Sequence, residues 1–322
     1  MKAVTVSEIG SFSYGERSVP RPAAGEVLVQ VALAGLCRTD LKIIRSGHRD
    51  LLLPRIPGEE VVGTVVERGA GVEIPVGTRV YVYPGMWCGC CRQCRAGAEN
   101  LCREMRIMGF HRDGGFAEYV TVPEQSLIPL PGQCSFADAV FAEPLSCCIN
   151  ALEQARLSPG ERIGIWGAGP AGTLLQRLAT VLGAEATVIE PDPRRRELVG
   201  GISVPGERHF DVCIPAVGSH DAYREALAHL APRGRLVVFS GLPKESQSPE
   251  VCLNSLHYLE QTISGAYGCC FRHGRLALEM ITDGSLRVVG LVSHTMPLSE
   301  LDQALQMVEQ RSCMKIHLDP RR

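Results

Sequence analysis

The hexapeptide Gly167-Ala168-Gly169-Pro170-Ala171-Gly172 limits what this chain can fold into more than any other feature of it. It follows the short apolar run Ile163-Gly164-Ile165-Trp166 and opens a stretch with helical periodicity from Pro170 to Leu182. A glycine-rich turn between strand and helix lets backbone N–H groups and the helix N-terminus come close to an anion. A second apolar run, Ala186-Thr187-Val188-Ile189, ends at Glu190, 23 residues after Gly167. A carboxylate there suits the ribose hydroxyls of an adenosine, so the spacing predicts a dinucleotide site on a βαβ unit. Gly167, Gly169, Pro170, Ala171 and Gly172 are the candidate pyrophosphate contacts. Similar turns occur in α/β proteins that bind no nucleotide, so the reading rests on this context. Glu190 repels a 2′-phosphate, whereas Arg194-Arg195-Arg196, with Arg195 at its centre, attracts one; the carboxylate favours NAD over NADP.

The rest of the chain divides around this motif. After it, Phe210-Asp211-Val212-Cys213-Ile214, a helical stretch at 219–230 and Arg235-Leu236-Val237-Val238-Phe239 continue a strand–helix alternation, which predicts a parallel sheet with helices on its faces. Before residue 145 the pattern is different. Short β-like runs such as 26–31, 61–66 and 79–83 are separated by Gly and Pro, as in a compact β-barrel. From 287 the chain reads as a strand, a helix at 298–310 and a final strand near Lys315-Ile316-His317-Leu318. At 322 residues it exceeds the usual single-domain size, and the predicted boundaries are 1–145, 146–286 and 287–322.

Charge excludes some partners. The formal net charge is −2 and the basic residues are scattered apart from Arg194 to Arg196, so no footprint for nucleic acid is present. No apolar run reaches the roughly 18 residues that cross a bilayer, and the first residues lack an export signal. The expectation is a cytoplasmic protein with no membrane partner.

Five of the fourteen cysteines fall between residues 88 and 102. Cys88, Cys91, Cys94 and Cys102 stand at C-x2-C-x2-C-x7-C, a spacing that lets four thiolates close around one ion. Four sulfurs complete the tetrahedral shell of a structural zinc and leave no position for substrate. An iron–sulfur cluster uses similar spacing, but the surrounding chain favours zinc. Cys90 has no place in the shell.

These motifs, in this order, resemble the zinc-containing medium-chain dehydrogenases over nearly the whole chain. Supporting stretches are Gly35-Leu36-Cys37-Arg38-Thr39-Asp40, the Gly-Glu-Glu-x-x-Gly at 58–63, Val76 to Val80, the cysteine knot, Asp113 to Tyr119 and the glycine turn. Ala142-Glu143-Pro144-Leu145 is most similar to the polyol and threonine dehydrogenase branch. The resemblance implies a GroES-like catalytic domain and a Rossmann domain with the active site in the cleft separating them, a small alcohol or ketone substrate, and a homodimer or homotetramer. It also implies roles: Cys37 matches the first ligand of a catalytic zinc, Glu143 an acidic ligand, Glu60 the carboxylate beside the metal, Thr39 the proton-relaying hydroxyl and Arg38 a pyrophosphate contact.

Two departures stand out. The family's Gly-His-Glu is here Gly58-Glu59-Glu60, so a histidine ligand has become Glu59. Either zinc is held by Cys37, Glu59, Glu60 and Glu143, or the metal is lost and the acids serve as general acid or base. Secondly, only the 19 residues 191–209 separate Glu190 from the next strand, which predicts a missing helix in the cofactor half. The leading function is oxidoreduction between a secondary alcohol and its ketone. The alternatives are a zinc-independent carbonyl or double-bond reductase and a non-catalytic nucleotide-binding relative. His48 reads as an exposed loop histidine, and the vicinal pairs Cys147-Cys148 and Cys269-Cys270 as small buried residues.

Overall fold

The computed structural model describes residues 1–243 and 246–322. The chain divides into two compact units, one of Met1–Glu143, Cys270–Gly284 and Val288–Arg322, the other of Pro144–Cys269 and Ser285–Arg287. The division falls inside one continuous helix, Ala142–Ala155. Among the described residues no helix is long and apolar enough to cross a membrane.

The first unit is built on a seven-stranded sheet with Glu26–Leu36 in its interior. That strand is hydrogen-bonded by Glu60–Arg68, Tyr119–Pro123 and Lys315–Asp319, all antiparallel to it. Nearly all of its residues are buried, because a strand covered on both faces needs apolar side chains on both. Val27, Val29, Val31, Val61, Val65, Val80 and Val82 join Ile316 and Leu318 in one core. The β-branched residues suit a half-buried pleated surface, which is why these runs are strands.

The interior strand stops where a helix, Arg38–Ser46, begins. Cys37 is its N-cap: the Cys37 N–H donates to Asp40 Oδ2 at 2.9 Å while the Asp40 N–H turns back to the Cys37 sulfur. This reciprocal cap satisfies two backbone or side-chain partners that the first turn would leave open. Leu41, Ile43 and Ile44 bury the inner face of the helix.

The second unit is a parallel five-stranded sheet. In spatial order its strands are Glu185–Ile189, Arg162–Trp166, Phe210–Pro215, Leu230–Val238 and Thr262–Gly265. Helices Pro170–Val181, Pro193–Val199 and His220–Ala228 connect them. The shortened stretch predicted after Glu190 is visible here. Pro193–Val199 is a seven-residue helix capped by Asp192, whose carboxylate accepts from Arg194 N–H at 2.8 Å, and it ends on left-handed Gly200. The next strand is reduced to a single bridge between Ile189 and Ile202, and no helix forms between residues 200 and 209.

Candidate functional site

The cysteine knot closes as a metal shell. A tetrahedral zinc with Zn–S bonds of about 2.3 Å has sulfur–sulfur edges of about 3.8 Å. The Cys88–Cys94, Cys91–Cys94, Cys91–Cys102 and Cys88–Cys102 sulfurs lie 3.9, 3.5, 3.9 and 3.5 Å apart. Backbone amides of Cys90 and Cys91 aim at the Cys88 sulfur and draw its pKa down to about 6, so that one thiolate is ready near neutrality. The N–H groups of Cys88 and Glu104 donate to the Cys102 sulfur, each at 3.4 Å. The four residues fit a zinc ion, whose contribution there is to cross-link a lobe with little core of its own. Cys90 is exposed and its sulfur lies 3.7 Å from that of Cys88.

The glycine turn is equally well formed. Gly167 sits at φ +108°, where a side chain is strained, and its N–H donates to the Ile189 carbonyl at 2.8 Å. A Cβ on Gly172 would stand 1.8 Å from the Gly167 carbonyl oxygen, so only glycine lets helix and turn approach this closely. Gly169 is the N-cap of Pro170–Val181, with Pro170 in its first turn, Ala171 following, and the Arg195 guanidinium near the mouth of the turn. Glu190 is buried: one carboxylate oxygen accepts from Ala168 N–H at 2.7 Å and the other from Asp192 N–H at 3.0 Å. The cradle fits the pyrophosphate of a dinucleotide, with Glu190 held rigidly behind the loop.

Around Cys37 the first unit gathers charge. The register places Glu60 opposite Gly35 and Gly35 opposite His317 on three adjacent strands, with side chains on one face. Glu60 lies across Gly35, where a Cβ would come within 1.9 Å of its Oε2. Both Glu60 oxygens accept from the Lys315 ammonium at 2.6 Å, and both residues are about fully buried. Burial works to lower the Lys315 pKa, but Glu60 and the neighbouring Cys37 outweigh it and leave the pKa above its usual value. Burial, then the Asp40, Glu60 and Glu59 carboxylates, push the Cys37 thiol far up. Asp40 is raised to about 6, chiefly by burial. His317 is 1% exposed and packs against the Phe141 ring, and among the described residues neither ring nitrogen has a hydrogen-bond partner. Burial and then the Lys315 charge lower its pKa to about 4.

The remaining residues singled out in the sequence are placed as follows. Thr39 is half-buried and Arg38 exposed, both in the first turn after Cys37. Glu59 is half-buried beside Gly109, and Glu143 is half-buried in the first turn of Ala142–Ala155. His48, expected to be an exposed loop histidine, has most of its side chain covered; its Nδ1 accepts from Asp50 N–H and its ring meets Phe110 edge-on. Among the described residues, Cys37 joins no group of three or more metal-capable side chains whose donor atoms lie within 4.8 Å of one another. With both Glu60 oxygens on Lys315 and a glutamate at 59, this arrangement does not fit a zinc shell. Asp40 lies within the Gly35–Asp40 stretch but carries no role there, and Lys315 and His317 had no signal beyond residue type in the sequence. Alternation along the final strand would have put Lys315 and His317 on one face, but not against Glu60.

Comparison with known proteins follows the same lines. The family profile of the alcohol dehydrogenase GroES-like domain matches residues 23–132. The 2-dehydro-3-deoxy-L-galactonate 5-dehydrogenase of Pseudoalteromonas atlantica is 30% identical over 313 residues, 91% of each chain. A zinc-binding dehydrogenase of Sinorhizobium meliloti 1021 bound to NADP superposes with a TM-score of 0.91 at 29% identity, covering 99% of both chains. An alcohol dehydrogenase of Escherichia coli CFT073 complexed with NADH has the same TM-score and coverage at 27% identity.

Proposed function

Since the chain belongs to the zinc-containing medium-chain dehydrogenase/reductase superfamily, on its polyol and sugar dehydrogenase branch, we propose that it interconverts a secondary alcohol and its ketone with NAD(P). The substrate class is a polyol, sugar or amino-alcohol. The observation that carries the reading is the Gly167–Gly172 cradle with Ala168 N–H held on Glu190. When bound there, the nicotinamide cofactor accepts or returns the hydride.

The chain's own residues supply the rest. Gly167, Gly169, Pro170, Ala171 and Gly172 present the backbone to the pyrophosphate, with Arg38 and Arg195 as further cationic contacts. Glu190 supports NAD over NADP, because a buried carboxylate at the end of its strand opposes a second phosphate. On the substrate side the proposed residues are Cys37, Thr39, Glu59, Glu60 and Glu143. Thr39 carries the alcohol proton through its hydroxyl. Glu59 and Glu143, both half-buried, are the proposed groups for proton exchange with water, while both oxygens of Glu60 are occupied by the Lys315 ammonium. The family likeness supports a homodimer or homotetramer. One observation favours a zinc-independent reductase on the same scaffold: the Lys315 ammonium holds both Glu60 oxygens.

Thermal shift with NAD, NADH, NADP and NADPH tests the binding step, since ligand at 100 times its Kd adds about 2.7 kcal/mol of stability. A panel of polyols, sugar acids and ketones, followed by reduced-cofactor absorbance, tests turnover. NAD(H) shifts with polyol oxidation are expected. Reduction of ketones or enones without alcohol oxidation would favour the zinc-independent reductase, and no shift with any nucleotide would overturn the proposal.

A further inference from the structure

We propose that Cys90, the fifth thiol of the knot, is a site of reversible oxidation, where a hydroperoxide joins it to Cys88 in a disulfide and the zinc is given up. Cys90 supplies none of the four sulfurs of the shell and is exposed. Its sulfur nevertheless lies 3.7 Å from that of Cys88, within the 3.5–3.9 Å range of the shell's own edges. Only Gly89 separates the two residues, and it takes φ +71°, a left-handed turn that folds the tripeptide back on itself. A Cβ on Gly89 would meet nothing within 4 Å, so the backbone turn and not crowding is what calls for glycine there. Cys90 and Cys91 line an open surface concavity with Arg92, Gln93 and Arg103. A small oxidant therefore reaches the thiol from solvent, with guanidinium groups nearby to favour a departing anion.

The chemistry balances with the hydroperoxide as sole oxidant. The Cys90 sulfur attacks the terminal peroxide oxygen and the O–O bond breaks. The thiol proton leaves with the alkoxide as an alcohol, or as water from hydrogen peroxide, and Cys90 is left as a sulfenic acid. The Cys88 thiolate then attacks that sulfur: the S–S bond forms, the S–O bond breaks, and hydroxide leaves to be protonated to water. The two sulfurs lose two electrons, which the peroxide gains, and a dithiol reductant reverses the change. Three sulfurs then remain for a metal that needs four to close its shell. The lobe also fastens the start of the helix Phe271–Thr282. Glu99 Oε1 accepts from Phe271 N–H at 2.8 Å, the Cys270 thiol donates toward Asn100 Oδ1 at 3.1 Å, and the Phe271 ring lies 5.6 Å from the Trp87 ring. Loss of the ion loosens these contacts, so oxidation at the surface is passed to the end of a helix in the same unit.

The test starts from the full chain, purified with zinc under reducing conditions, freed of reductant and challenged with hydrogen peroxide. A chromophoric chelator reads zinc release, and mass spectrometry of the tryptic peptide Val80–Arg92, which holds Cys88, Cys90 and Cys91, reads the disulfide. About one zinc per chain is expected to leave as Cys88 joins Cys90 and Cys91 stays open to alkylation. Trp87 emission, read in a Trp166→Phe background, should change in step, and dithiothreitol with added zinc should restore it. Cys90→Ser keeps its zinc before oxidation and releases it about tenfold more slowly under peroxide. Cys252→Ser, which removes the other exposed cysteine, releases zinc as the native chain does. Equal release from the native chain and Cys90→Ser overturns the proposal. So does a Cys91–Cys94 disulfide in place of Cys88–Cys90, or a native chain that carries no zinc in the knot. None of these readings uses nucleotide or substrate, so this proposal and the dehydrogenase proposal can fail separately.

Discussion

Replacing Lys315 with methionine removes one charge from a pair in which both members are almost sealed from water. The ammonium lies 2.6 Å from each Glu60 oxygen. At an effective dielectric constant of about 20 the gross attraction of such a pair is on the order of 5 kcal/mol. Desolvating both ions cancels most of it, so the pair as a whole adds little stability. Breaking it is different: Glu60 stays buried without a counter-charge, a loss of about 3–5 kcal/mol. Lys315→Met should therefore destabilise the first unit by that amount, and Glu60→Leu combined with Lys315→Met should restore most of it. Trp87 and Trp166 are the only tryptophans, so urea unfolding followed by Trp87 emission in a Trp166→Phe background reports on the first unit. Gly35→Ala gives a second route to the same break, because its Cβ meets Glu60 Oε2. A cost below about 1 kcal/mol for Lys315→Met, or additive losses in the double variant, would refute the coupled pair.

Other expectations follow from the same geometry. His317 has a folded pKa of about 4 against an ordinary 6.5, so its contribution to stability is complete above about 6.5 and is lost as pH falls toward 4. That gap is worth roughly 3 kcal/mol, and His317→Leu should flatten the acid limb of a melting-temperature profile; an unchanged limb would show that another group controls it. Gly172→Ala forces a Cβ onto the Gly167 carbonyl, so it should abolish the nucleotide-induced thermal shift while the zinc content of the knot stays intact. Cys91→Ser breaks two of the sulfur edges of the lobe and should release one zinc and expose 88–102 to protease. Glu190→Ala removes the acceptor behind Ala168 and should weaken NAD binding more than NADP binding, measured by titration of each.

Features that a local stretch can specify were legible without coordinates. The knot was readable because its four ligands lie in one short segment, and the glycine turn because its strand, turn and helix follow each other directly. The shift from β runs to strand–helix alternation near residue 145 likewise reflects side-chain periodicity, which is a local property. The short interval after Glu190 announced the reduced cofactor half, though the coordinates alone show that the helix Pro193–Val199 survives while the following strand shrinks to one bridge.

Partners distant in sequence had no such signal. Lys315 meets Glu60 across 255 positions, and nothing in Met-Lys-Ile-His-Leu distinguishes a lysine bound for a buried carboxylate from one bound for water. The vicinal cysteines likewise meet partners far along the chain: Cys148 donates toward the Ala171 carbonyl and Cys270 toward Asn100 Oδ1. Chain order determined which ions and nucleotides a segment can hold, because those donors converge within a few bonds. Tertiary packing decided which charges are neutralised, because burial and register bring groups together only after the sheets have formed.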